Sequence, residues 1–235
     1  MSPRDPSLRL REIVRRAPWL GRALSRLPFA GGARSSADYW ERRYRAGGDS
    51  GTGSSGPLAA FKADFLNALV ARHDIARVVE FGCGDGQQLS LARYPEYVGL
   101  DVSASVVARC RQRFASDPTK AFFAYEPTAF HDSLGLFRGD LALSLDVIYH
   151  LVEDEIFARH LSHLFGSATR FAVVYSSDVD RPVSAHVRHR HFSPWIEAHH
   201  PDWQLVERVP NPLPKQELGG AGSEADFFVY ARRPS

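Results

Sequence analysis

Residues 79–89 read VEFGCGDGQQL, with glycines at every second position, Gly82, Gly84 and Gly86, directly after a short apolar run. Glycine reaches backbone conformations that other residues avoid, and it lets another group approach the main chain. An apolar, β-branched run that ends in such a triplet is a buried strand stopping in a tight turn. In an open α/β sheet, ligands bind at the carboxyl ends of strands, which is where this turn falls. The spacing is G-x-G-x-G. It is not the dinucleotide fingerprint G-x-G-x-x-G, whose last position would fall on Gln87.

The rest of the chain supplies the sheet. Residues 58–73 repeat apolar positions at helical spacing. A strand over 77–82 follows, then a helix beginning over 86–94, whose N-terminus would add donors behind the turn. Next come a strand over 97–102, a helix over 103–115 capped by Ser103, and strands over 120–126 and 140–146. A helix over 151–165 opens with Glu153, Asp154 and Glu155, which suit the positive end of its dipole. A strand over 170–177 and a short helix within 191–200 precede two strands over 203–209 and 226–233. The loop between those last two is too short for a crossover helix, so they pair antiparallel at a sheet edge. The expectation is a mostly parallel sheet with one reversed strand and helices on both faces.

At 235 residues, 44% hydrophobic and 24% charged, the chain has the composition of a soluble globular protein. Its net charge of +2 is uneven. Residues 1–45 hold eleven arginines and four acids, about +7, which leaves about −5 for the remainder. Residues 1–35 form a basic, amphipathic extension interrupted by Pro18 and Pro28. It reads either as an arm for a membrane surface or a partner, or as a loosely packed tail. Residues 36–57 carry aromatics and arginines and then a Gly/Ser loop, which is a linker or a lid. Residues 58–235 are the core. Cys83 and Cys110 have neither metal-site nor disulfide spacing, which fits a reducing, cytoplasmic setting. No apolar run is long enough to span a membrane.

Asp101 closes the second strand, where its carboxylate would accept both hydroxyls of a ribose. Glu80 precedes the first glycine. Taken with these residues, VVEFGCGDG and VGLDVS resemble the first two motifs of class I S-adenosylmethionine-dependent methyltransferases, and LSLDVIYHLVEDEIF (143–157) resembles the family's fourth-strand motif. The resemblance spans about 39–233. It implies an α/β, three-layer Rossmann-like sheet with a C-terminal antiparallel strand, and S-adenosylmethionine as cofactor. Carried over, Glu80, Gly82, Cys83, Gly84 and Gly86 line the cofactor, Asp101 holds its ribose, and Val102 flanks the adenine. Leu145 and Asp146 lie at its sulfonium end, with Glu126 as a candidate near the adenine amino group. Cys83 fits as a small turn residue, without a base to make it a nucleophile.

If the methyl acceptor must lose a proton, Asp146, Tyr149 and His150 are the candidate catalytic groups, His150 because its pKa lies near neutrality. Their alternative roles are capping and packing the next helix. Tyr39, Trp40 and Arg43 are expected over the site, as in the N-terminal lids of similar methyltransferases. Arg188, His189 and Arg190 would bind an anionic acceptor, unless the loop is merely a solvated basic one. A metal held by His186, His189 and His191 has no carboxylate or thiolate nearby in sequence, so no metal is expected. DVIY replaces the proline-bearing signature of base methylation, and the core carries little positive charge. These features disfavour nucleic acid and point to methylation at O or N of a small-molecule or sugar-linked acceptor. The rivals are a peptide or protein carboxyl methyltransferase, with the loop over 210–222 holding the chain, and a non-catalytic cofactor-binding module.

Overall fold

The structure is a computed structural model that describes residues 33–218 and 222–234. The basic extension over 1–32 and the middle of the 210–222 loop lie outside the described residues. Strands β1 (Arg77–Phe81), β2 (Glu96–Asp101), β3 (Lys120–Ala124), β4 (Gly139–Leu145), β5 (Ala168–Ser176), β8 (Trp203–Val209) and β9 (Asp226–Arg232) form one sheet in the order β3-β2-β1-β4-β5-β9-β8. All neighbouring pairs from β3 to β5 are parallel, and β9 runs antiparallel to both β5 and β8. The expected reversed strand is therefore β9, slotted between β5 and the edge strand β8. A small separate hairpin, β6 (Arg181–Ser184) and β7 (Val187–His189), was not legible in the sequence.

Helices cover both faces. Because successive strand residues point to opposite sides, Val78 packs on one core and Val79 on the other. The first core takes Leu66, Leu69 and Val70 from α2 (Gly56–Arg72) and Val107 and Cys110 from α3 (Ala104–Arg113). The second takes Phe157, Leu161 and Leu164 from α4 (Asp154–Ser167) and Ile196 from α5 (Ser193–His199). Each such fully buried side chain contributes about 1.5–3 kcal/mol. Helix α1 (Ser36–Arg45) precedes these layers, and a four-residue helix α6 (Lys215–Leu218) lies before β9.

One expected element is absent. No α-helix follows the glycine turn; the β1-to-β2 connection holds only a 3-10 turn at Leu89–Leu91. Asn67 of α2 explains why. Its side chain donates to Leu91 O at 3.0 Å and accepts from Arg93 N at 2.7 Å, so those backbone groups are held in a loop. Pro95 ends the segment one residue before β2 begins. The turn's donors therefore come from the loop itself.

Candidate active site

β1 and β4 are neighbours at the point where the chain switches direction across the sheet, so a crevice opens beyond their carboxyl ends. The glycine turn forms its floor. Gly82 and Cys83 both donate their N–H to Leu100 O, at 2.7 and 3.1 Å. All three glycines have positive φ, at 90°, 57° and 73°. A Cβ on Gly82 would lie 2.4 Å from Val147 Cγ2, and on Gly84 2.4 Å from Ser50 Oγ. The turn thus lacks side chains first because the β4 loop and the Gly/Ser loop close upon it.

One strand over, Asp101 is buried. Its Oδ2 accepts from Gly84 N at 3.0 Å and its Oδ1 from Ser103 N at 2.9 Å. Each oxygen keeps lone pairs for a further donor. Burial outweighs these two bonds and pushes Asp101 up to about 6. Burial likewise pushes Glu80 up to about 7, against the hydrogen bond from Tyr97 O–H at 2.6 Å and the charge of Lys62. The hydrogen bond with Cys110, together with burial, raises the Cys83 thiol well above its usual range, which leaves it a packing group.

A cavity of about 310 Å³ runs across this floor, within the size range of small-molecule sites. Glu80, Gly82, Cys83, Gly84, Asp101 and Val102 line its middle. Tyr125, Glu126 and Pro127 close one end, and Leu145, Asp146 and His150 the other. Gly86 does not reach the cavity; a Cβ there would press on Phe114 and Cys110 instead.

Helix α1 and the loop behind it form the roof, with Trp40, Tyr44 and Ser50 facing the cavity. Ser36 donates its N–H and its hydroxyl to Glu153, both at 2.8 Å. Glu41 accepts from Ser103 Oγ and Ser105 Oγ at 2.6 Å and from Ser105 N at 3.2 Å, at the N-terminus of α3. Partial burial pushes Glu41 up, but these hydrogen bonds win and hold it at about 2. The Gly/Ser loop is clasped to the glycine turn: Ser50 N donates to Asp85 Oδ2 at 3.1 Å, and Asp85 N to Ser50 Oγ at 3.0 Å. Tyr39 and Arg43 sit on the outer side of this roof. Tyr39 stacks on His186 at 4.6 Å, and Arg43 pairs with Asp49 at 3.0 Å.

At the far end, Asp146 follows β4 in a left-handed backbone conformation, φ 60°. Its Oδ2 lies 2.5 Å from Lys62 Nζ, and its Oδ1 accepts from Tyr149 O–H at 2.8 Å. Lys62 is 1% exposed and lines the cavity. The sequence reading passed over it, although it falls on the apolar face of α2 between Ala59 and Leu66. His150 Nδ1 lies 3.2 Å from His186 O. A carbonyl only accepts, so Nδ1 carries the proton and Nε2 is left as an acceptor. Burial drives His150 down to about 4, against the carbonyl bond and the charge of Asp146, so the ring is neutral. Trp40 meets His150 edge-on at 4.9 Å.

Arg188, His189 and Arg190 are not in the cavity wall. Asp154 takes both arginines, at 2.8 and 2.6 Å, and Arg190 also donates to Leu151 O and Val152 O. They brace the loop between β4 and α4. His189 is bonded to Ser177 Oγ and lies 3.6 Å from Glu224. Among the described residues, no group of three or more His, Cys, Asp or Glu gathers into a metal-binding set.

Residues 79–170 match a family model described as a methyltransferase domain. A search of curated proteins returned no match. Solved structures with this fold include the N-methyltransferase NodS of Bradyrhizobium japonicum in complex with S-adenosyl-L-homocysteine. It is 17% identical, with a TM-score of 0.64 over 86% of this chain and 100% of that one. Magnesium protoporphyrin IX methyltransferase (ChlM) of Synechocystis PCC 6803 matches with 13% identity and a TM-score of 0.56, over 97% of this chain and 100% of that one. The methyltransferase domain of a bacterial Hen1 (CtHen1-C) matches at 18% identity and a TM-score of 0.57, over 74% of this chain and 97% of that one. At these identities the likeness is one of fold.

Proposed function

We propose that this chain, which carries a class I, Rossmann-like S-adenosylmethionine-dependent methyltransferase domain, methylates an oxygen or nitrogen of a small-molecule or sugar-linked acceptor. The observation that carries the cofactor assignment is Asp101, a buried carboxylate in the cavity wall with each oxygen half-satisfied by the main chain. Two vicinal hydroxyls complete that donor set, and a ribose supplies them. Val102, Tyr125 and Glu126 would take the adenine, and Leu145 and Asp146 would meet the opposite end.

S-adenosylmethionine supplies a methyl group on a positively charged sulfur. The chain's own work is to position the acceptor and to exclude water, which can be worth about 7–11 kcal/mol in favourable cases. Helix α1 does the excluding: Trp40 and Tyr44 cover the cavity, Ser36 holds the cover at the first residue of the helix and Glu41 holds it at mid-helix. His150 Nε2 is the fixed acceptor for a hydrogen on the nucleophile. The neighbouring Asp146 carboxylate stabilises the imidazolium as that proton arrives. Tyr149 and Lys62 hold Asp146 in place for this. Both arginines of the 188–190 loop are spent on Asp154, and the lysine in the described cavity wall, Lys62, is paired with Asp146, which argues against an anionic acceptor. Free Cys83 and Cys110, both buried, suit a reducing cytoplasm.

The test is methyl transfer from tritiated S-adenosylmethionine into a protein-free metabolite extract and, separately, into a peptide pool. Label in the metabolite fraction that disappears with His150→Ala is the expected result. Label only in peptides would favour a peptide carboxyl methyltransferase, and no label with a tightly bound cofactor would favour a binding module.

A further inference from the structure

Five buried side-chain polar atoms among the described residues have no hydrogen-bond partner: Arg77 Nε, Gln88 Oε1, Tyr175 O–H, His200 Nε2 and Tyr230 O–H. Of these five residues, Gln88 is the one in the cavity wall. It stands two residues after Gly86 and is 9% exposed. Its Nε2 donates to Ala59 O of α2 at 3.1 Å. Because a main-chain carbonyl can only accept, the amide cannot be flipped, and Oε1 is turned away from its one protein partner. A buried acceptor without a donor is destabilising, and native proteins keep such groups where a ligand or water completes them.

The position narrows the ligand group. Gln88 touches α2, the helix that also carries Lys62 and through it reaches Asp146. Tyr125 and Glu126, which close the opposite end of the cavity, follow β3 on the other side of β1 and β2. With the ribose on Asp101 and the adenine toward Glu126, the cofactor part left for the α2 side is its amino-acid chain. That chain carries one strong donor, the α-ammonium. We infer that Gln88 Oε1 is the acceptor for this ammonium, and that Ala59 O is the group that orients it. The inference rests on the cofactor reading above.

The test is calorimetric titration of the wild type, Gln88→Leu and Gln88→Met with two probes. One is S-adenosylhomocysteine. The other is 5′-methylthioadenosine, which keeps the adenosine and thioether but lacks the amino-acid chain. Gln88→Leu is expected to weaken S-adenosylhomocysteine by about tenfold and to leave methylthioadenosine unchanged. Gln88→Met, which keeps the length of the side chain but not the acceptor, is expected to show the same selective loss. Parallel losses for both probes would mean that Gln88 only packs against α2, and would overturn the assignment. If the leucine variant does not fold, the methionine variant decides by the same contrast. A wild type that binds neither probe would sink the cofactor reading itself, whereas a wild type that binds both with unaltered selectivity in the variants would sink only the subsite.

Discussion

Lys62 shows how much of this site depends on single buried contacts. Its ammonium is sealed from solvent and bonded to Asp146 at 2.5 Å, and it also lies 5.2 Å from the Tyr175 ring. Removing one member of such a pair strands the other charge, at a cost of about 3–5 kcal/mol. Lys62→Met should therefore lower the urea midpoint sharply, and Lys62→Met with Asp146→Asn, which removes the stranded charge and suits the left-handed backbone at 146, should recover much of the loss. Equal stabilities for the single and double variants would show the pair to be uncoupled. On the proposed ribose role, Asp101 sets the pH dependence of binding. Burial raises its folded pKa to about 6, so below that pH a proton occupies the carboxylate that the ribose would use. S-adenosylhomocysteine affinity should be half-maximal near pH 6, full about one unit above it, and fall by up to about tenfold per unit below it. Asp101→Asn should bind weakly at every pH; a steep acid limb in that variant would place the titrating group elsewhere. As candidates, Asp101 and the glycines were legible because their cues are local: a turn, and a strand end fifteen to nineteen residues on, although Gly86 packs toward Phe114 and Cys110 and not the cavity. Lys62 and Gln88 were not, since their partners come from other elements. The one clue to Lys62 was a charge on the helical face that also carries Leu58, Ala59, Leu66 and Leu69.

At the scale of elements, the roof is a docked helix. The aromatic and arginine-rich segment announced something over the core, but not that it would be α1 with Ser35 as its cap. Its attachment through Glu41 has a definite pH signature. The folded pKa of about 2 lies below the ordinary 4.5, so the docking contribution is complete above pH 4.5 and is lost as pH falls from there toward 2. The part of the tryptophan emission that is lost in Trp40→Phe should report α1 leaving over that window, and Glu41→Gln should show a loosened α1 already at neutral pH. An unchanged transition in Glu41→Gln would assign it to another group. The segment after the glycine turn misled the sequence reading because GQQLSLARY has helical composition, while Asn67, twenty-odd residues upstream, takes over its backbone groups. In the same way HVRHRHF looked like an anion site, and Asp154 at the start of α4 claims both of its arginines.

For the whole molecule, the alternation of strands and helices fixed the parallel sheet, and the short final connection fixed the reversed β9, because both follow from chain length and right-handed crossovers. What the alternation leaves open is the acceptor. On the proposed reading that would depend on how α1, the β4 loop and the β6–β7 hairpin meet, and side chains such as Tyr39 and His186 touch only once the fold is complete. Among the described residues no helix is long and apolar enough to cross a membrane. The central claim is that the cavity above the glycine turn holds an adenosyl amino acid whose ribose rests on Asp101. Calorimetric titration of S-adenosylhomocysteine into the wild type and Asp101→Ala tests it most directly. The account predicts one site per chain in the wild type and a loss of at least tenfold in the variant. No binding by the folded wild type, or equal affinities for the two proteins, would contradict it.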